Sequence, residues 1–209
     1  MRSIAARIAG YSQLLEPLKE SAGRYLKYPS VLAEDDVALI GHRPWVAPKN
    51  YMFRLYPPVS SDARQHYGQI FGIDVPPVYT DFLREVNGAC CFGMSLCGMP
   101  QSMLGRPPLL DRTVLQCHDL ATAVNHWTRA YCVPGELFHF GYRHYSDDED
   151  VGYFIERCNR IICVKKDGNV LGDWTNFTAF LSDELKASEN LEEELNPSNW
   201  RAESPHQAS

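Results

Sequence analysis

The chain has 209 residues, of which 44% are apolar and 22% are charged, and its formal net charge is −6. This length accommodates one large domain, or a domain with an extension, and the composition is that of a globular protein with a filled core. A net negative charge disfavours nucleic acid as a direct ligand, because phosphate binding requires clustered positive charge. Since no apolar run approaches the roughly 18 residues that span a bilayer, we expect a cytoplasmic protein that does not bind membranes.

The seven cysteines follow no regular spacing. They are Cys90, Cys91, Cys97, Cys117, Cys132, Cys158 and Cys163. An odd count at irregular intervals is not a disulfide framework, and the first residues do not resemble a secretory signal. We therefore expect a reducing compartment, in which most of these thiols are small buried apolar groups. There is no CxxC pair, and the sequence predicts neither a metal nor another cofactor.

Residues 1–58 are predicted to form an N-terminal extension. Apolar residues at helical spacing indicate an amphipathic helix within the first 28 residues: Ile4, Ile8, Tyr11, Leu15 and Leu18. Pro17 is expected to end or bend this helix. A weak resemblance to a mitochondrial presequence exists, but a helix that packs on the domain is favoured. From Ser30 to Pro58 prolines interrupt the pattern and indicate an irregular segment with a short extended piece near Met52–Tyr56.

Two helices and the first strand are predicted next. Ser60 and its neighbours can cap a helix that ends at Gly72. Pro77 suits the first turn of another helix, which Asn87-Gly88 ends because both residues tolerate a positive φ angle. The small, apolar and thiol-rich residues 89–98 are then expected to begin a sheet.

The second half of the chain predicts a helix, several strands and a closing helix. Asp119 can cap the first helix, and Phe138–Tyr142 alternates with the period of a strand. Two further strands are joined by a hairpin at Asp167-Gly168. The closing helix starts after Thr175 or Asn176, and residues 189–195 would extend it. The order of elements predicts an α+β fold with a single antiparallel, mostly meander sheet of about four to six strands flanked by helices.

An ordered set of residues along these elements resembles the SUKH superfamily, which includes fungal cell-wall assembly regulators and bacterial toxin-immunity proteins. The matching positions are Pro77, Tyr79, Phe82, Leu83, Asn87, Gly88, Trp127, Gly141, Trp174, Phe177, Phe180 and Leu181. The resemblance covers roughly residues 60–185. It implies a SUKH-like domain over residues 59–187, followed by an acidic, flexible tail at 188–209. It also implies a binding scaffold, since catalysis is not a general property of this group.

The most concentrated charge is the run Asp147, Asp148, Glu149 and Asp150. One interpretation is a surface that binds a basic protein partner, such as a nuclease toxin with a positive substrate groove. A second is a Ca²⁺ or Mg²⁺ site, although no EF-hand spacing is present. The third is a solvated hairpin loop, which is what most runs of charge form.

Catalytic and metal sites have weaker signals. His139 and His144 lie near the acidic run, but they lack the ligand spacing of a transition-metal site, so His139 is expected to be a surface or partly buried histidine. The sequence contains no GxSxG, P-loop, GxGxxG or HExxH motif. A hydrolase would have to gather His118, His139 or Cys90 with carboxylates through the fold.

Three functions follow from these patterns. The first is a non-enzymatic bacterial immunity protein that neutralises a cognate toxin by direct binding. The second is a regulatory or scaffolding adaptor that docks through residues 1–58. The third is a hydrolase that uses histidine, aspartate or cysteine.

Overall fold

The computed structural model describes residues 3–33, 36–44, 46–100, 116–144 and 150–195. The α-helices in these residues are α1 (Ile4–Ala9), α2 (Glu16–Tyr25), α3 (Ser61–Phe71), α4 (Pro77–Glu85), α5 (Leu120–Asn125) and α6 (Phe177–Leu195). The strands are β1 (Val31–Leu32), β2 (Ala38–His42), β3 (Tyr51–Leu55), β4 (Ala89–Cys91), β5 (Met94–Leu96), β6 (Phe138–His144), β7 (Asp150–Ile155), β8 (Ile161–Lys165) and β9 (Val170–Trp174). Short 3-10 helices lie at Gln13–Leu15 and Trp127–Ala130.

All nine strands belong to one sheet, in which their spatial order is their order along the chain and every neighbouring pair is antiparallel. The predicted α+β class with a single antiparallel sheet is confirmed. The predicted number of four to six strands is wrong, because the segment before residue 58 supplies β1, β2 and β3. Pro44, Pro48, Pro57 and Pro58 lie between or after these strands, where no backbone N–H is needed for the ladder.

The N-terminal segment contains two α-helices, α1 and α2, where the sequence predicted one amphipathic helix. Gly10 ends α1, and Pro17 lies in the first turn of α2, where a missing N–H costs nothing. Strand β3 pairs with β4, so the segment continues directly into the sheet. The boundaries at residues 58 and 187 stay a prediction about which part of the chain folds on its own.

One large apolar core lies between the sheet and the helices α2, α4 and α6. The motif residue Tyr79 is at its centre, and its hydroxyl donates to the carbonyl oxygens of Cys97 and Phe140, the latter at 3.1 Å. The Asn87 side chain exchanges two hydrogen bonds of 2.7 Å with the backbone of Met99. Gly88 has a φ of +84°, as its place after the helix predicted.

Helix α6 starts where the sequence indicated, since Asn176 Oδ1 accepts a 2.9 Å hydrogen bond from the Ala179 amide. It continues through residues 188–195 of the predicted tail. Along its last turns the carboxylates pair with arginines from the N-terminal segment, Glu189 with Arg24 and Glu192 with Arg43. The end of the described chain is therefore tied to its beginning.

Candidate functional site

The face of the sheet opposite the main core carries a row of polar side chains. Strand pairing places Arg54 of β3 beside Cys90 of β4, Cys90 beside Ser95 of β5, and Ser95 beside Tyr142 of β6. We call these four residues the polar row, and the face that bears them the outer face. Two smaller apolar clusters also lie on this face. One adjoins the polar row and shares Cys90 with it, together with Leu39, Tyr56 and Cys117, and the other contains Tyr131, Phe154, Ile162 and Val164.

At one end of the polar row the side chains become exposed and aromatic. The Trp127 ring is 53% exposed and lies nearly parallel to the ring of Tyr142, with centroids 6.4 Å apart. Tyr142 also makes edge contacts with His118 and His144, at 5.3 and 5.1 Å. Its hydroxyl hydrogen-bonds with His118 Nδ1 at 2.8 Å. We call Trp127, Tyr142, His118 and His144 the aromatic patch.

In the sequence, the acidic run follows His144 of the aromatic patch. Asp147, Asp148 and Glu149 lie outside the described residues, and Asp150 is the first residue of β7, paired with His144. The Asp150 carboxylate contacts both Lys166 Nζ and His144 Nδ1, and these two groups hold its pKa below the usual range. Asp150 is therefore a charged carboxylate whose partners lie within the protein itself.

The described residues do not assemble a transition-metal site around His139 and His144, and three carboxylates of the other proposed metal site, Asp147, Asp148 and Glu149, lie outside them. The described residues contain no group of three or more histidine, cysteine, aspartate or glutamate side chains that could hold a metal ion. His139 is separated from His144 by a β-bulge and is 1% exposed. Its Nδ1 lies 3.2 Å from the Ala123 carbonyl oxygen and its Nε2 3.0 Å from that of Gly141. Burial lowers the pKa of His139 to about 4, so this residue is a neutral part of the packing.

The structure does bring His118 close to Cys90. Ser95 Oγ donates to Cys90 Sγ at 3.8 Å, and the Tyr142 hydroxyl on the strand beside Ser95 hydrogen-bonds with His118 Nδ1. Burial raises the pKa of the Cys90 thiol, but His118, Arg54 and Ser95 together outweigh burial and lower it. Two of the three residues named for a hydrolase thus meet, while His139 does not join them.

Ten of the twelve motif residues are buried or pack against the core, and the exposed Pro77 and Trp127 are the exceptions. Phe82 and Phe177 pack with centroids 5.4 Å apart. Trp174 lies against Phe180 and donates a 3.0 Å hydrogen bond to Asp183. The motif residues therefore serve mainly to form the fold. Among them, Trp127 lies in the aromatic patch of the outer face.

Sequence reasoning missed Arg54, Ser95 and Tyr142. Tyr142 and His144 are two residues apart in a strand, so their shared face was visible in the period of the pattern. Arg54 and Ser95 carried no such signal, because their position beside Cys90 depends on the register of β3, β4 and β5.

An apolar groove on the described surface lies away from the outer face. It has a volume of about 560 Å³ and lies between α1 and α4, with Tyr11, Pro57 and Pro58 among its lining residues. Its charged groups are engaged with the protein itself: Arg7 donates to the carbonyl oxygen of Tyr56, and Glu85 accepts from the backbone amide of Ser12. This groove contains none of the site residues that the sequence indicated.

No helix in the described ranges has the length and hydropathy needed to cross a membrane. The chain matches no protein-family model, no curated protein and no solved structure.

Proposed function

We propose that this protein is a non-enzymatic binding protein of the SUKH type, and that it acts as a bacterial immunity protein that neutralises a cognate toxin by direct contact. The observation that carries the proposal is the exposed Trp127 stacked on Tyr142 of β6, the strand that precedes the acidic run in the sequence. Tryptophan and tyrosine are enriched among the residues that dominate binding energy at protein interfaces. The ordered SUKH-like residues support the same interpretation.

Charge indicates the kind of partner. The protein has a net charge of −6, and Asp147, Asp148 and Glu149 lie in the connection that follows the aromatic patch. An acidic run and a negative net charge favour a basic partner, since complementary charge accelerates association and rejects acidic proteins. A nuclease toxin, whose substrate groove must be positive, has this property.

The adaptor alternative depended on residues 1–58 as a separate docking segment. Strands β1, β2 and β3 come from that segment and form a third of the sheet. Deleting it would remove structure as well as any docking surface, so truncation does not separate the two functions. Point substitutions on the exposed surface do.

The test is co-expression in a bacterial host with the toxin candidate encoded beside this protein's gene, followed by growth assays and affinity measurement. Trp127→Ala is expected to weaken the complex by about 30-fold, the effect of a 2 kcal/mol hot spot. Replacing Asp147, Asp148 and Glu149 by their amides is expected to slow association and reduce its dependence on salt.

Ile70→Ala is the matched control, because Ile70 on α3 is 56% exposed and lies outside the patch. It should leave rescue and affinity unchanged. The proposal fails if the adjacent toxin candidate forms no complex and growth is not rescued. It also fails if Trp127→Ala binds as tightly as the Ile70→Ala control.

A further inference from the structure

The groove between α1 and α4 has the size and lining of a small-molecule site. Its volume is about 560 Å³, and ligand pockets in proteins have volumes of roughly 300–1,000 Å³. Its walls are mainly apolar and are formed in part by Ala6, Leu32, Pro57 and Pro58. Arg7 and Tyr11 also line it. These two polar side chains lack the partners that the same residue types have elsewhere in the described chain.

The Tyr11 hydroxyl is buried and donates to no acceptor. The whole residue is 8% exposed. Four other buried tyrosines each donate their hydroxyl to a carboxylate or a carbonyl oxygen: Tyr25, Tyr67, Tyr79 and Tyr153. Burial raises the pKa of Tyr11, so its hydroxyl keeps the proton that it could donate. The nearby Arg7 guanidinium carries only donors and cannot accept that proton.

Phenylalanine would fill the space of Tyr11 without leaving a polar atom unsatisfied. A buried hydroxyl without an acceptor destabilises a fold, and such groups in proteins usually have a partner. An acceptor that comes from outside the chain therefore accounts for tyrosine at this position.

Arg7 has no carboxylate partner among the described residues. Its guanidinium donates to three backbone carbonyl oxygens, those of Asp36, Leu55 at 3.5 Å and Tyr56 at 2.7 Å. Other arginines at similar depth are paired with glutamates, among them Arg43 and Arg143. A guanidinium has more N–H donors than these three contacts use, so Arg7 retains both positive charge and hydrogen-bonding capacity for a ligand.

The acidic side chains that line the groove do not take the place of this partner. Both carboxylate oxygens of Glu85 accept hydrogen bonds from Ser12, one from the backbone amide at 2.7 Å and one from the hydroxyl. Asp36 is exposed and contacts Arg7 through its backbone carbonyl oxygen. The Arg7 charge and the Tyr11 hydroxyl thus both call for an anionic acceptor.

We propose that this groove binds a small monocarboxylate with an apolar body, such as an arylalkanoic acid. The carboxylate pairs with Arg7 and accepts the hydrogen bond of the Tyr11 hydroxyl, while the body packs against Leu32, Pro57 and Pro58. Charge-assisted hydrogen bonds to arginine are stronger than neutral ones and fix the orientation of a carboxylate. The inference does not depend on the protein partner, because the groove lies away from the outer face.

The test uses phenylpropanoate as the probe and compares it with phenylpropanamide and phenylpropylamine, which keep the apolar body and change the head group. Two-dimensional amide NMR spectra of the isotope-labelled, full-length protein locate and quantify binding. The carboxylate is expected to shift the signals of Ala6, Gly10 and Leu32 and to bind about tenfold more tightly than the amide, whereas the amine should not bind. Absence of shifts at these residues, or equal affinity for the carboxylate and the amide, would overturn the proposal.

Two tyrosine variants separate ligand binding from folding. Tyr11→Phe is expected to weaken phenylpropanoate binding about fivefold while the melting temperature stays the same or rises, because the lost hydroxyl has no acceptor in the protein. Tyr25→Phe removes a hydroxyl that donates to Glu189, and neither residue lines the groove. It should lower the melting temperature and leave binding unchanged. Parent-like affinity in Tyr11→Phe would contradict the role of this hydroxyl.

Arg7→Gln tests the charge of the site. Its affinity for phenylpropanoate is expected to fall about tenfold, to that for the amide, since the cation is gone. Arg157→Gln changes an exposed arginine outside the groove and should keep the preference of the parent. Thermal melts verify that both variants are folded. An undiminished preference for the carboxylate in folded Arg7→Gln would refute the proposal, and Tyr11→Phe provides the test if Arg7→Gln does not fold.

Discussion

Residue 141 is glycine because of the atoms around it and not because of its own backbone conformation. It lies at the β-bulge of β6, where the pairing with β7 shifts between His139 and Gly141. A Cβ atom there would lie 2.6 Å from the Ser95 carbonyl oxygen and 3.1 Å from Leu96 Cδ2. The first contact is with backbone, which cannot rotate away. The close packing of β5 against β6 therefore requires glycine at position 141.

Gly141→Ala is expected to lower the free energy of unfolding by about 2 kcal/mol or more, because β5 and β6 must separate to admit the methyl group. Chemical denaturation measures the change. Gly135→Ala is the control, since no atom lies within 4 Å of its added Cβ, and it should stay within about 0.5 kcal/mol of the parent. Equal stability of the two variants would contradict this account of Gly141.

At the scale of elements, α6 holds the sheet through two kinds of contact. Its first turns bury the aromatic and apolar motif residues Phe177, Phe180 and Leu181. Further along, the buried Glu184 pairs with Arg143 of β6 at 3.2 Å and accepts a hydrogen bond from the Tyr153 hydroxyl of β7. The Arg143 guanidinium also donates to Ser188 Oγ at 3.1 Å. Two charged groups and a tyrosine hydroxyl, from two strands and one helix, thus interact with one another inside the core.

Removing one member of this network should cost far more than removing a surface pair. Glu184→Ala is expected to destabilise the protein by about 3–5 kcal/mol, because the buried Arg143 loses its counter-charge. Glu136→Ala breaks the exposed pair with Arg157 and should cost less than about 1 kcal/mol. Urea denaturation of the two variants checks the difference, and similar losses in both would show that the buried pair contributes no more than the exposed one.

At the scale of the whole molecule, the buried histidine links stability to pH. His139 has a pKa of about 4 in the fold, against an ordinary value of 6.5. Between these values the unfolded chain binds more protons than the folded protein, so the free energy of unfolding falls as pH falls. Glu184 acts in the opposite direction, because burial raises its pKa and the fold favours its protonated form. These two buried groups therefore contribute to the pH dependence of stability with opposite signs.

His139→Gln isolates the histidine contribution. The parent is expected to lose up to about 3 kcal/mol from this residue between pH 7 and pH 4, and the variant should lack that portion of the slope. Urea denaturation at intervals of half a pH unit measures it. His126→Gln, at an exposed position, should keep the slope of the parent, and an unchanged slope in His139→Gln would show that His139 titrates normally in the fold.

Local signals predicted much of the secondary structure. Pro77, Asn87-Gly88 and Asp119 mark element ends through backbone geometry and capping, which act within a few residues, and each ends or begins an element as expected. The strands of the N-terminal segment were underestimated, because β1 and β2 are short and their pairing is not encoded locally. A short strand is stabilised by its partners, and those are known only from the assembled sheet.

The sequence by itself determined the α+β class, the capped helices, the buried aromatic face of α4 and the acidic run. These depend on periodicity and on residues that act on their immediate neighbours. Only the tertiary structure decided that Arg54, Cys90, Ser95 and Tyr142 form a row, and that His118 contacts Tyr142 while His139 is buried apart. The register of four strands sets those proximities, and register is a property of the whole sheet.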